Sequence, residues 1–428
     1  MNKEQVKNIE SCNVWKAPFP HLGQRRPLYL DKIKKYLGTR LIKVWSGQRR
    51  SGKSYLMRQW IQTLISEHQV PVSNILYLNF ELESLSFIKS AKNLSDVIKW
   101  YLKTYAQSGP VYLFFDEIQE IDQWEKMVTS YGADPYRHFE IYLTGSNSKL
   151  LSSELATYLT GRYVEQEVFP FSFNEYCEYE GTSPDKSALI GYLQGSGIPE
   201  LFQLPDDDSK RSFLRAVRSG ILLKDIVQRF SIKEPQLLET VFHFLTDNIG
   251  NLFSVNALVR KLKSIGIQTN TMTLSKYIDC LESAFLIFGV PRYDVKGKRI
   301  LEGERKYYLN DLGFRNYFSS GFDPGLSKQL ENHLYKSLRM AGFQTYVGKM
   351  GDLEIDFIAE KGTQKIYVQV AYLLTDATVV AREYGNLEKI KDQWPKLVVS
   401  LDDMKLPSRE GIEHLQAWHA ESYFERIR

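Results

Sequence analysis

The sequence predicts an α/β chain: a doubly wound parallel sheet, then a helical stretch closing on a helix, turn, helix and hairpin, then a second, smaller α/β module. Three observations carry that expectation. Short, largely apolar runs at 41–46, 74–80, 111–115 and 139–144 alternate with stretches of helical period, as strands buried on both faces do when helices connect them. A glycine-bounded turn joins the first run to the helix behind it. From residue 327 onward the order becomes helix, three strands, helix, strand.

Composition sets the outer limits. Of 428 residues, 43% are hydrophobic and 25% charged, ordinary globular proportions that exclude wholesale disorder and a fibrous repeat. The length suggests several domains, each able to bury its own core. No apolar run approaches the ~18–20 residues of a membrane helix, and the opening MNKEQVKNIE lacks the apolar centre of a secretory signal. Cys12, Cys177 and Cys280 are too few and too widely spaced for a disulfide framework or a zinc set. A soluble, cytoplasmic protein with no membrane partner is expected. The net charge of +4, from 55 basic and 51 acidic residues, looks too small to demand a nucleic-acid partner, although an average can hide a local patch.

The first strand, 41–46, runs into Gly47, Gln48, Arg49, Arg50, Ser51, Gly52, Lys53 and Ser54, then into a helix with apolar residues at Leu56, Trp60, Ile61 and Leu64. Strand, G-x-x-x-x-G-K-S and helix is the context of a P-loop. Its glycines let successive N–H groups turn toward phosphate at a helix N-terminus. Lys53 is expected to reach the β- and γ-phosphates of a nucleotide and the Ser54 hydroxyl to ligate Mg2+. With Tyr55, residues 47–55 form the expected nucleotide-binding set.

The strand at 111–115 ends in Asp116-Glu117. Asp116 at its carboxyl end is expected to hold Mg2+ directly or through water, and Glu117 to polarise the attacking water as general base. The strand at 139–144 closes on Gly145-Ser146-Asn147. There Asn147 is the candidate γ-phosphate sensor, with Ser146 and Thr144 as rivals. Arg162 is the candidate arginine finger, acting in cis or in trans on the charge of the transition state. These elements together predict a P-loop NTPase domain over 1–180.

The set GQRRSGKS, FFDEIQ, LTGSNS, LTGR and FPFSFNEY, with Gly195–Glu200, Leu223–Ile226, Ser275–Phe285 and Val368–Tyr372 downstream, resembles the bacterial and archaeal AAA-like P-loop ATPases that carry a C-terminal domain of unknown function. The resemblance spans residues 25–420. It implies ATP binding and slow hydrolysis, with Glu117 as base and Asn147 as sensor, and a helical lid after the ATPase core.

Residues 181–318 are expected to hold that lid and a winged helix-turn-helix. Ser254 can cap a first helix and Thr269 or Asn270 a second, followed by strands at 286–293 and 306–309. From 251 to 306 ten basic residues face five acidic ones, so DNA or RNA is a candidate partner through the basic wing, residues 292–306. The exposed face of the second helix argues the other way, since it offers Asp279 and Glu282 with only Lys276. A protein partner and a second copy of the chain are the other candidates.

The element order of 319–428 resembles the restriction-endonuclease-like fold. Asp356 stands where the first metal-binding acid belongs, but the next strand reads Gln369-Val370-Ala371 where Glu-x-Lys is required. The module is therefore expected to be catalytically degenerate. Asp352, Glu354 and Asp356 share one strand face, and Glu331 on the helix can join them. The function expected is Mg2+-dependent ATP hydrolysis driving a conformational switch in the attached modules. The alternatives are an ATP-controlled nucleic-acid-binding regulator and a Mg2+-dependent nuclease.

Overall fold

Strands β1 (Ile42–Ser46), β2 (Ile75–Asn79), β3 (Val111–Asp116), β4 (Phe139–Gly145) and β5 (Tyr163–Glu167) pair in parallel in the order β2-β3-β4-β1-β5. Every residue of β1 to β4 is buried, which explains their largely apolar runs. Alternate side chains feed two cores. Val44, Leu76, Leu78, Leu113, Phe115, Ile141 and Leu143 pack with the helices Ala91–Thr104 and Trp124–Gly132 on one face. Trp45, Ile75, Tyr77, Tyr112, Phe114 and Tyr142 pack with Pro27–Lys34 and Lys53–Ser66 on the other. The expected doubly wound sheet is present.

The computed structural model describes residues 1–146, 161–318 and 325–427. They fall into two units, Met1–Val168 and Phe169–Arg428. Phe169–Glu180 packs with the second unit. Its helix Phe173–Glu180 is capped by Ser172 and by the Glu421 carboxylate, which accepts from Phe173 N at 3.0 Å.

In the second unit the helix Asp207–Gly220 runs into a π-helical turn, Ile221–Gln228, which carries Leu223–Ile226 of the motif set. The helices Val255–Ser264 and Thr271–Ser283 start at Ser254 and Asn270, whose side chains accept from Ala257 N and Thr273 N. The hairpin that follows, β6 (Ile287–Asp294) and β7 (Arg299–Leu309), is longer than the sequence suggested. Asp294 Oδ1 closes its turn by accepting from the N–H groups of Lys296 and Gly297, each at 3.1 Å.

This hairpin is the edge of a seven-stranded sheet in the order β12-β11-β10-β9-β8-β6-β7. β6 runs parallel to β8 (Gln344–Met350), with Arg292 opposite Val347. β9 (Leu353–Lys361) and β10 (Gln364–Val370) continue antiparallel, and β11 (Lys396–Ser400) and β12 (Ile412–Gln416) join in parallel. The helices Leu326–Met340 and Ala377–Glu388 stand at the places expected. Main-chain hydrogen bonds across β6 and β8 join strands from 181–318 and from 319–428 in one sheet. No helix among the described residues is long and apolar enough to cross a membrane.

Candidate functional site

The carboxyl ends of β1, β3 and β4 bring the predicted residues together. After β1 the chain turns at Gly47, whose φ of +147° and closeness to Val168 admit no side chain: a Cβ there would lie 2.2 Å from Val168 O. Arg50 at φ +69° and Gly52 at φ +92° continue the turn. The helix Lys53–Ser66 then begins with no side-chain cap, so its N-terminal N–H groups and dipole point into the loop. The Lys53 ammonium donates to the carbonyls of Gly47 and Gln48, each at 3.0 Å, and lies 3.6 Å from Glu117 Oε1.

Asp116 is fully buried at the end of β3. Its Oδ1 accepts from Thr144 Oγ1 at 2.5 Å and its Oδ2 from Tyr77 OH at 2.8 Å, and the Ser54 hydroxyl also reaches it. Burial and the neighbouring Glu117 charge push its carboxyl up, against these hydrogen bonds. Glu117 adopts a left-handed conformation at φ +55°, and its N–H donates to Thr144 Oγ1 at 2.8 Å. Its carboxylate accepts from the Gln119 amide. Burial alone would raise Glu117, yet the Lys53 ammonium, the Gln119 amide and Arg49 hold it below the usual carboxylate range. Two adjacent acids thus sit in environments that push them apart, Asp116 up and Glu117 down.

The remaining candidates divide. Arg49 pairs with Glu81, beyond the end of β2, at 2.5 Å. Tyr55 is 38% exposed, with its ring against Gly23. The Gln48 amide and the Ser51 hydroxyl are buried with no partner among the described residues. Asn147 lies outside the described residues; of its rivals, Thr144 bridges Asp116 and Glu117, and Ser146 Oγ stands 3.5 Å from the Gln119 amide. Arg162 is not brought to the cluster. It precedes β5, and its carbonyl accepts from Ile42 N at 2.9 Å, at the amino end of the sheet. The five residues of β1 stand between it and the loop, roughly 13 Å at a strand's rise per residue. Among the described residues, Lys53 and Arg49 are the cations that act on Glu117.

Three further residues were not anticipated. Tyr77 and Gln119 hold the two acids, and Arg26, 2% exposed, donates from Nη1 to Ser51 O at 2.8 Å while stacking 4.4 Å over Tyr29. In the sequence Gln119 closes the FFDEIQ motif, and Arg26 precedes a proline that opens a helix.

Glycine loop, uncapped helix, lysine and a strand-end Asp-Glu pair on a parallel sheet define an AAA-like P-loop fold. The comparisons agree: residues 39–177 match the model of an AAA domain, and residues 186–325 that of a domain of unknown function. The chain is 34% identical over 393 residues to an uncharacterized protein of Haemophilus influenzae, covering 91% of this chain and 96% of that one. It is 31% identical over 394 residues to an uncharacterized protein of Methanocaldococcus jannaschii, covering 87% and 84%. Among solved structures, a Walker-type ATPase of Pyrococcus abyssi is similar at 16% identity and a TM-score of 0.43, covering 70% of this chain and 98% of that one. The chain belongs to the family of the Haemophilus and Methanocaldococcus proteins, with an AAA domain of the P-loop fold at 39–177 followed by a domain of unknown function at 186–325.

Proposed function

We propose that the first unit binds ATP with Mg2+ and hydrolyses its γ-phosphate, and that this cycle switches the conformation of the second unit. The observation that carries the reading is the convergence of Lys53, Ser54, Asp116 and Glu117 around a loop with unpartnered buried polar atoms on Gln48 and Ser51. Those atoms fit a ligand rich in hydrogen-bonding oxygens. Ser54 and Asp116 would hold Mg2+, an oxygen donor set that suits this hard ion. The described residues gather no group of three or more His, Cys, Asp or Glu able to hold a metal, which accords with an ion whose other ligands are phosphate oxygens and water. Bound Mg2+ supplies positive charge to the phosphoryl oxygens.

In this reading Lys53 leaves the Gly47 and Gln48 carbonyls for the β- and γ-phosphates. The loop N–H groups orient the triphosphate, and Glu117, kept ionised, accepts a proton from the attacking water. Thr144 fixes both acids at once, and Asn147 is kept as the candidate sensor of the γ-phosphate. The switch is tested by limited proteolysis of the full chain with and without Mg2+ and ATP. A changed cleavage pattern within residues 169–428 is expected, and an identical pattern would confine the effect of ATP to the first unit.

A second reading rests on Lys296, Lys298, Arg299 and Arg305, all exposed on the β6–β7 hairpin. They support non-specific contact of a winged-helix-like module with nucleic-acid phosphates. Lys306 drops out of that set, being 2% exposed. Reversing Lys296, Lys298 and Arg299 to Glu is expected to flatten the salt dependence of DNA or RNA binding by about three units of log–log slope. Equal slopes, or no binding by wild type at low salt, would end this reading.

A further inference from the structure

We propose that Lys306 is the resident counter-cation of a carboxylate cluster in the second unit, filling the place a divalent ion would take, so that this unit carries no metal centre and cuts no nucleic acid. The inference does not depend on the ATPase reading. It begins from topology: a helix, the strands β8 to β10, a helix and β11 follow in the order resembling a metal-dependent nuclease. In such a module the acids of the first helix and the central strand would meet at a metal.

Here they meet at an ammonium. Glu331 comes from the helix Leu326–Met340, and Glu354 and Asp356 from β9. Lys306, on β7, places Nζ 2.7 Å from Glu331 Oε1, 2.8 Å from Glu354 Oε1 and 3.3 Å from Asp356 Oδ1. The carboxylate oxygens are occupied in other directions too. Glu331 Oε1 also accepts from Tyr308 OH at 2.7 Å, and Glu331 Oε2 from Lys328 Nζ at 3.0 Å. Asp356 Oδ2 accepts from Val370 N at 3.0 Å.

The residues that would complete a metal centre are of the wrong chemistry. Gln369 brings no charge; its amide oxygen accepts from Asp356 N at 3.4 Å and its Nε2 donates to Glu383 at 3.0 Å. Ala371 has nothing to stabilise an attacking hydroxide. A divalent ion entering the cluster would have to expel an ammonium that is 2% exposed and already bonded to three carboxylates. Burial opposes the lysine charge, but Glu331, Asp356 and Glu354 more than compensate, so the group stays cationic well above the ordinary lysine range. The residues therefore do not fit Mg2+. What the cluster does is tie β7, the first helix and β9 together.

Titration of the full chain with Mn2+ in the absence of nucleotide, with free Mn2+ read by electron paramagnetic resonance, tests the assignment. Wild type and Asp356→Asn are expected to bind the same amount of Mn2+, any ion at Asp116 being common to both. Lys306→Met is expected to bind one more equivalent, lost again when Asp356→Asn is added. Plasmid DNA is expected to stay uncut by wild type in Mn2+. An Asp356-dependent ion or Asp356-dependent cleavage in wild type would overturn the proposal, and so would a folded Lys306→Met protein that gains no ion. Where Lys306→Met does not fold, the pair of wild type and Asp356→Asn decides alone.

Discussion

Glu117→Gln is expected to bind ATP as tightly as wild type and to release phosphate roughly 10²–10⁴-fold more slowly, the usual contribution of a positioned general base. The substitution keeps the size of the side chain and its place beside Gln119, and removes only the negative charge. That charge is what the site maintains. Lys53 stands 3.6 Å away, and with Gln119 and Arg49 it outweighs burial to keep the carboxylate ionised. The left-handed backbone at φ +55° aims the side chain, held by Thr144 accepting from Glu117 N. Phosphate release and equilibrium ATP binding, measured on the same preparations, separate the two effects. Lost binding would mean that Glu117 shapes the loop; unchanged turnover would remove it from the chemistry.

The second large effect is on stability. Glu140→Ala is expected to destabilise the first unit by about 3–5 kcal/mol, because it strands a buried ammonium. Lys43 Nζ lies 2.9 Å from Glu140 Oε2 and donates to Thr39 O at 2.8 Å, with the side chains of the pair 0% and 2% exposed. The carboxylate also accepts from Gly38 N and Tyr142 OH. Burial lowers the Lys43 pKa despite Glu140, so the ammonium is already under strain before its partner is removed. Replacing both, as Lys43→Met with Glu140→Leu, is expected to restore most of the loss, because a buried pair often exchanges for apolar packing at little net cost. Urea unfolding of wild type and the two variants checks both statements; a mild loss in Glu140→Ala would show that water reaches the pair.

Local pattern revealed those parts of the molecule whose cause is local. β1 to β4 announced themselves because both their faces are buried, and the loop because only glycine tolerates the turn at residue 47. β5, Tyr-Val-Glu-Gln-Glu, did not, since an edge strand with half-exposed faces has no apolar run to show. The position of Arg162 has a non-local cause: pairing of β5 with β1 sets its carbonyl at the amino end of the sheet, and sequence period carries no strand order. Lys306 was counted into a basic wing by its neighbours, yet its partners are 25, 48 and 50 positions away in sequence. A charge count cannot see a register that turns one lysine inward. Tyr77 likewise reads as one more apolar strand residue until Asp116, across the neighbouring strand, gives its hydroxyl a purpose.

The central claim is that the loop around Lys53 is an ATP site. Calorimetric titration of wild type and Lys53→Ala with ATP and Mg2+ tests it most directly. Wild type should bind one ATP per chain and Lys53→Ala should bind at least tenfold more weakly, a loss of about 1.4 kcal/mol or more. Equal affinity in the two proteins, or no ATP bound by wild type, would contradict it.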